Sequence, residues 1–461
     1  MDTQKFSILN YSAIFATLLV LVMTVLDVTL VNVALPVMTD KFGVTDSQSV
    51  WIITIYQLVI TMLLLPVSSY GDQTSYRRCF LVGVVIFTIS SALCAASQSF
   101  TMIVAARALQ GVGAACVMGV NIALVRLIYP RNVLGRGLAL NAMVIAIATA
   151  AGPTIAGSIL SIASWHWLFL INVPFGIIAF IIGKRLLPQN PPHKVEGKYD
   201  WISAIENIVV FGLIFLAIGN ITKTDNKAVI IGMLIVGIIV GVFYVRRQLH
   251  HSQPMLPVDL LKIRLYTLSI STSVSSFIAQ NIAMVALPFL FIGSYGFSEI
   301  TTGLLMTPWP LATMIVSPIV ARFVEKHNPG ITASCGMLVY SVGLILLLCT
   351  PGGDVSPWDI AWRMAVCGVG FGMFQTPNNI VMVIATPIER TGGAGGMQST
   401  ARLVGQTLGA TLVSVIFASA ASDSISAKVC LWVALVFAVI AGAFSISRTG
   451  GVNSYRESSD I

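Results

Sequence analysis

Residues 26–36 read Leu26-Asp27-Val28-Thr29-Leu30-Val31-Asn32-Val33-Ala34-Leu35-Pro36, and they close an apolar run that starts near Ala13. A bilayer core takes about 20 apolar residues of helix. The run is long enough to span, and it carries one carboxylate a little past its middle. A charge at that depth costs at least about 2.5–3.5 kcal/mol unless it turns toward a bundle interior or a wet cavity. Asp27 is therefore expected to face inward. At 100° per residue Asp27 and Asn32 lie about 140° apart, so with Thr29 they share a face only loosely. Three polar groups within two turns still mark a helix that lines something. The alternative, an acid near the helix end reaching the headgroups, stays open at this point.

The whole chain fits that setting. Of 461 residues, 56% are hydrophobic and only 10% charged, where a soluble domain carries about 25% charged residues; the mean hydropathy is +0.89. This is the composition of an all-α polytopic membrane protein. The first apolar run is too long for a leader's h-region and has no A-x-A site after it, so it is expected to stay as an anchor. The seven cysteines, Cys79, Cys94, Cys116, Cys335, Cys349, Cys367 and Cys430, sit in apolar runs without a C-x-x-C pair or a His cluster. They read as small hydrophobes rather than metal or redox groups.

Apolar windows predict fourteen membrane helices, over about 13–35, 49–70, 79–97, 101–123, 138–161, 165–183, 201–221, 228–245, 267–291, 300–321, 331–350, 358–385, 397–420 and 428–447. Counting with the N-terminus inside, 19 of the 26 Lys and Arg fall in inner segments and four in outer ones. This is the bias of the positive-inside rule, and it places both termini in the cytoplasm. It also accounts for the formal charge of +8 without nucleic acid as a partner. Two longer polar segments, 186–200 and 246–266, bracket the seventh and eighth windows. The predicted organisation is a six-helix bundle over 1–187, a linker with two inserted helices over 188–266, and a second six-helix bundle over 267–461. The inserted pair, poor in polar residues apart from Glu206, Asn207 and Asn220, is expected to be peripheral or lipid-facing.

A repeat supports the division. Gly111, Gly113, Asn121 and Gly152 recur as Gly368, Gly370, Asn378 and Gly409 at a constant offset of 257 residues, and Arg107 and Arg363 are one residue out of register. Repeated halves are how several transporter folds are built.

Four motifs in order then carry a resemblance. Leu26-Asp27 through Pro36, Arg107-Ala-Leu-Gln110-Gly111-Val-Gly113, Gly152-Pro153, and Trp165-His-Trp-Leu-Phe-Leu-Ile-Asn172-Val-Pro174 resemble the fourteen-helix drug/proton antiporter family of the major facilitator superfamily, over the whole chain. The resemblance implies a fold of two six-helix bundles plus the inserted pair. It also implies proton-coupled efflux of amphipathic, cationic drugs or biocides across a bacterial inner membrane by alternating access. No cofactor is implied, because the proton gradient supplies the energy, and the protein is expected to act as a monomer among membrane lipids. Asp27 and Arg107 would couple the proton, with cation and proton competing for the one carboxylate. Gly152, Pro153 and Gly157 would form a tightly packed seam between the halves, although Ala156 stands where that pattern usually has glycine. Asp72, Arg77 and Arg78 would clamp the halves at the cytoplasmic side, with Ser68, Gln73 and Ser75 departing from the family's loop. The remaining polar groups, Asn32, Tyr56, Gln57, Gln110, Asn121, Gln280, Asn281, Trp309, Gln375, Asn378, Arg402 and Gln406, are expected to line a substrate cavity. Asn379 joins them on the same grounds.

Other functions fit less well. An exporter dedicated to one metabolite or siderophore remains open, and Arg402 leans toward it because a cation in the cavity suits an anion. An intramembrane lipid-modifying enzyme needs paired carboxylates or a His–acid pair near one face, and the sequence offers neither. A passive channel has no use for a single intramembrane acid.

Overall fold

The computed structural model describes residues 8–129, 134–190, 199–221, 226–250, 254–324, 326–350, 355–386, 391–419 and 423–449. Thirteen helices among them are long and apolar enough to cross a membrane. Pro357–Ile384 is a fourteenth of similar length, 28 residues, whose apolar character is diluted by Asp359, Arg363, Gln375, Asn378 and Asn379. The long helices are α1 Ile8–Phe42, α2 Trp51–Gln73, α3 Tyr76–Ala95, α4 Phe100–Ile128, α5 Leu134–Ile162, α6 Asn172–Leu186, α7 Trp201–Gly219, α8 Lys227–His250, α9 Arg264–Phe289, α10 Pro308–Val324, α11 Pro329–Leu348, α12 Pro357–Ile384, α13 Thr391–Ser419 and α14 Asp423–Ser447. Each contains most of one apolar window.

Short polar punctuation sets the ends. The Ser75 and Ser99 side chains accept the backbone N–H groups of Arg78 and Met102 and so cap α3 and α4, satisfying donors that a helix start leaves free. Pro308 cannot continue the hydrogen-bond ladder, so the tenth span is two pieces, Glu299–Met306 and then α10.

The repeat seen in the sequence is a repeat of packing. In the first half α3 packs on α4, α2 on α4, α1 on α5, α1 on α6 and α3 on α6; in the second, α11 packs on α12, α10 on α12, α9 on α13, α9 on α14 and α11 on α14. The matched glycines explain why. A Cβ on Gly111 would lie 2.9 Å from the Tyr56 carbonyl oxygen of α2, and one on Gly113 2.8 Å from Phe87 Cα of α3. A Cβ on Gly368 would lie 2.9 Å from Ala312 Cβ of α10, and one on Gly370 2.6 Å from Tyr340 Cα of α11. Each glycine pair thus lets one helix wedge between two neighbours at backbone contact. Gly152 meets Thr29 of α1, and Gly409 meets Asn281 of α9, in the same relation.

The halves meet through α2 against α13 and α5 against the tenth span. The inserted pair differs from its expected place in one respect. Helix α8 turns apolar side chains such as Ile235, Ile239 and Phe243 outward, as expected, and α7 exposes Ile202 and Ile205, but α7 does more than lie at the periphery. It packs on both α2 and α13, one helix of each half. Asn207 donates to the Met62 carbonyl at 2.8 Å, Tyr199 to the Pro66 carbonyl at 2.9 Å, and Gly219 approaches Trp51 and Thr411.

Candidate functional site

A cavity of about 870 Å³ lies between the halves. It opens at the end of the bundle that carries Asp72, Tyr76, Arg126 and Asn190, and it runs inward past Asn121 and Asn141 to Gln375, Gln398 and Arg402. The opposite end is shut. There Leu30–Met38 of α1 joins one continuous apolar cluster with Phe277–Phe291 of the second half. The Thr154 and Thr307 hydroxyls bond at 2.6 Å, and the Ser47 hydroxyl donates to the Ser414 carbonyl at 2.7 Å. Gly157 and Gly303 press together at this seam. A Cβ on Gly157 would fall 2.7 Å from the Glu299 carbonyl oxygen and 3.2 Å from Gly303 Cα. Gly152, Pro153 and Gly157 do lie along the contact between the halves, and the Pro153 carbonyl is what a Cβ on Gly303 would strike first.

Asp27 lies in the interior of the first half. It forms an ion pair with Arg107, and both side chains are fully sealed. The Gln110 amide nitrogen donates to the second Asp27 oxygen at 2.8 Å and to the Ser91 hydroxyl at 2.9 Å, and Asn172 approaches the same oxygen at 3.5 Å. Arg107 also donates to the Gln110 amide oxygen at 2.6 Å and, through Nε, to the Ile52 carbonyl at 3.0 Å. Its guanidinium stands 4.1 Å from the centre of the Tyr56 ring, a cation–π contact that covers the one nitrogen without an acceptor. Five helices, α1 to α4 and α6, therefore converge on one acid. Such a pair is expensive to desolvate and more expensive to break.

The expectation that Asp27 faces the bundle interior holds, and the expectation that it shares the cavity with cargo does not. Val25 and Leu21 line the cavity; Asp27, two residues beyond Val25, is rotated about 200° from it and points to the other side of α1. The Asp27–Arg107 pair and the cavity are separate places in this conformation.

Of the polar groups expected to line the cavity, Asn121, Gln375 and Arg402 do, as does Asn379. Tyr56 and Gln110 belong to the Asp27 cluster instead. Asn281 donates to the Gln406 carbonyl at 2.6 Å and ties α9 to α13, while Trp309 is buried against Tyr340 inside the second half. Asn32 and Gln57 are buried at the closed side, and neither they nor Gln280, Asn281, Trp309, Asn378 and Gln406 reach the cavity wall. Asn378 accepts from Arg448 and donates to the Ser273 hydroxyl at 2.7 Å. Wall residues that the sequence reading missed include Asn141, Gln398, Ser399 and Arg126. The signal for two of them was the spacing 395, 398, 399, 402 on α13, one helical face.

The loop expected to clamp the halves is not clamped. Asp72 accepts the Tyr76 hydroxyl at 2.7 Å, and Arg77 donates to the Lys184 carbonyl. Both contacts stay inside the first half, so this state leaves the Asp72 end open. The corresponding loop of the second half, Arg322 to Lys326, includes Glu325, which is outside the described residues.

Two related helix bundles, a cavity between them open at one end and a packed seam at the other define a membrane transporter. The chain belongs to the Major Facilitator Superfamily, whose profile matches residues 17–410 and again 268–456. It is 45% identical over 438 residues, 95% of each chain, to a protein of Escherichia coli (strain K12) described as "Uncharacterized transporter YebQ". It is 29% identical to the riboflavin transporter RibZ of Clostridioides difficile, over 86% of each chain, and 28% identical to the multidrug efflux pump LfrA of Mycolicibacterium smegmatis, over 85% of this chain and 78% of that one. Among solved structures, a POT family transporter in complex with a thioalcohol-conjugated peptide superposes with a TM-score of 0.72 at 16% identity, covering 95% of this chain and 96% of that one. An inward-facing bacterial homologue of the lysosomal transporter Spinster gives 0.69 at 15%, covering 98% and 99%. These two share the fold.

Proposed function

We propose that this protein is a proton-coupled exporter of amphipathic small molecules in the bacterial inner membrane, of the fourteen-helix antiporter type, working by alternating access. The observation that carries the reading is the sealed Asp27–Arg107 pair beside the cavity. A carboxylate sealed among a guanidinium and two amides is closed to solvent in this state, so proton exchange with either side requires the surrounding helices to move. The helices that enclose it, α1 to α4 and α6, belong to the same half as α5, which carries the Gly157 contact, so moving that half to open the seam would change the surroundings of Asp27. With the positive-inside orientation the cavity faces the cytoplasm, where cargo would enter. Closing the Asp72 end and parting the Gly157–Gly303 contact would turn the cavity outward and hydrate Asp27 from that side. Coupling then runs through helix movement rather than through competition at one carboxylate. Similarity to LfrA supports efflux.

The test uses inside-out membrane vesicles energised to hold a pH gradient and challenged with a panel of amphipathic compounds. At least one compound should discharge the gradient in vesicles containing the wild-type chain. The same compound should leave the gradient intact with Asp27→Asn. Discharge that is equal in the two would remove Asp27 from the coupling step.

A further inference from the structure

We infer that the cavity takes its cargo by an anionic group, a carboxylate on an amphipathic body, held by Arg402. The inference rests on the exporter reading for the cavity's purpose but not for its chemistry.

Three charged side chains line the cavity among the described residues: Asp72, Arg126 and Arg402. Asp72 and Arg126 stand together at the mouth. Asp72 is engaged by the Tyr76 hydroxyl and lies within electrostatic range of Arg126, so the mouth is close to neutral. Arg402 is different. It lies eleven residues into α13, about 16 Å along the helix axis, and its Nε is sealed with no acceptor. Among the described residues it makes neither an ion pair nor a hydrogen bond to any group. The contrast with Arg107 is direct: that guanidinium has a carboxylate, an amide oxygen, a carbonyl and an aromatic ring, whereas Arg402 faces a hollow.

An unpaired cation within a membrane protein is costly unless something answers it. The groups around Arg402 are suited to answering with an anion. Gln398 and Ser399 lie one turn back on the same helix, and Gln375 and Asn379 face the cavity from α12. All four side chains can donate hydrogen bonds, and a guanidinium fork matches a carboxylate with two parallel N–H bonds. Leu21, Val25, Leu65, Met118 and Ile145 of the first half, with Phe277 of α9, supply apolar wall for the rest of the molecule. The cavity volume is that of a site for a drug-sized ligand.

A cationic cargo would find little here. Recognition of an organic cation calls for a carboxylate or a cage of aromatic faces. The only carboxylate on the described wall is at the mouth, Asp27 is spent on Arg107 behind α1, and the only rings on the wall are Tyr76 and Phe277.

The experiment holds the apolar body constant and changes the head. The full chain in lipid nanodiscs is titrated with 1-pyrenebutyrate, 1-pyrenebutanol and a pyrenebutyl trimethylammonium salt. Binding is read as energy transfer from tryptophan to pyrene, against empty nanodiscs. The wild-type chain should prefer the carboxylate over the alcohol by about tenfold or more, with the ammonium weakest. Arg402→Gln should bring carboxylate and alcohol level. Arg402→Lys, which keeps a point charge without the fork, should retain part of the preference, and this separates loss of charge from loss of folding. Equal binding of the three heads, tighter binding of the ammonium, no binding of the carboxylate, or a preference that survives Arg402→Gln would each overturn the inference. Carboxylate binding that depends on Arg402 but is never driven by a pH gradient would uphold the inference while the exporter reading fails.

Discussion

The two halves keep the same packing and divide the charges differently. In the first, Arg107 is neutralised by Asp27 within a closed network of amides, a hydroxyl and a ring. In the second, Arg448 is just as buried, 1% exposed, yet among the described residues it is met by neutral oxygens: Asn378, the Ser269 hydroxyl at 2.8 Å and the Ser445 hydroxyl at 3.2 Å. Arg402 has no hydrogen-bond or ion-pair partner among the described residues. Glycines at backbone contact cannot change without forcing helices apart, so the repeat persists at Gly111/Gly368 and Gly113/Gly370. Polar positions carry no such constraint. Asn121 bonds to Asn141 beside the cavity while its counterpart Asn378 serves Arg448. Arg363, near the register of Arg107, takes its acid from its own helix, Asp359 at 2.7 Å, and donates to the Leu346 carbonyl of α11 and the Thr350 hydroxyl. One half holds its buried arginine in an ion pair, and the other holds Arg448 and Arg402 without a carboxylate among the described residues.

The largest expected effect breaks the first-half pair. Asp27→Leu or Arg107→Leu alone strands a buried charge and should cost about 3–5 kcal/mol, read as a lowered unfolding midpoint of the purified chain in detergent. The double variant Asp27→Leu with Arg107→Leu should recover most of that stability without recovering transport. If each single variant were as stable as the double, the pair would hold no buried charge.

A smaller effect is expected in the second half. Asn378→Ala removes one neutral acceptor from Arg448 and should cost about 1–3 kcal/mol while transport continues. A complete loss of transport in a folded Asn378→Ala chain would mean that the second half also takes part in coupling. The smallest effect belongs to the inserted pair. Asn207→Leu deletes a single interhelical hydrogen bond to Met62, worth about 0.6 kcal/mol by the average for such bonds in membranes, and should leave transport unchanged. A large loss there would make α7 a mechanical link between the halves rather than a packing element.

Much of this was legible in the sequence. Helix windows follow from apolar length, the two-bundle plan from the 257-residue offset, and the seam from Gly152, Pro153 and Gly157, because each rests on bulk or on close approach. The cavity wall was harder to read. Asn32, Gln57 and Trp309 look like cavity groups by composition, but their direction depends on rotation about the helix axis, which a one-dimensional pattern of mostly apolar residues does not fix. Asp27 illustrates the point: depth predicted that it turns inward, and a 200° rotation from Val25 decided which inner surface it meets. Arg402 reads as a cavity cation from its place in the sequence, whereas its want of a partner among the described residues depends on which distant segments fold around it.

The most direct test separates exchange from accumulation. With the compound that discharges the pH gradient, proteoliposomes carrying wild-type chain or Asp27→Asn are compared in counterflow, which needs no net proton movement, and in uptake driven by an imposed pH gradient. The account predicts that Asp27→Asn keeps counterflow and loses gradient-driven accumulation. Accumulation by Asp27→Asn at the wild-type level would contradict it.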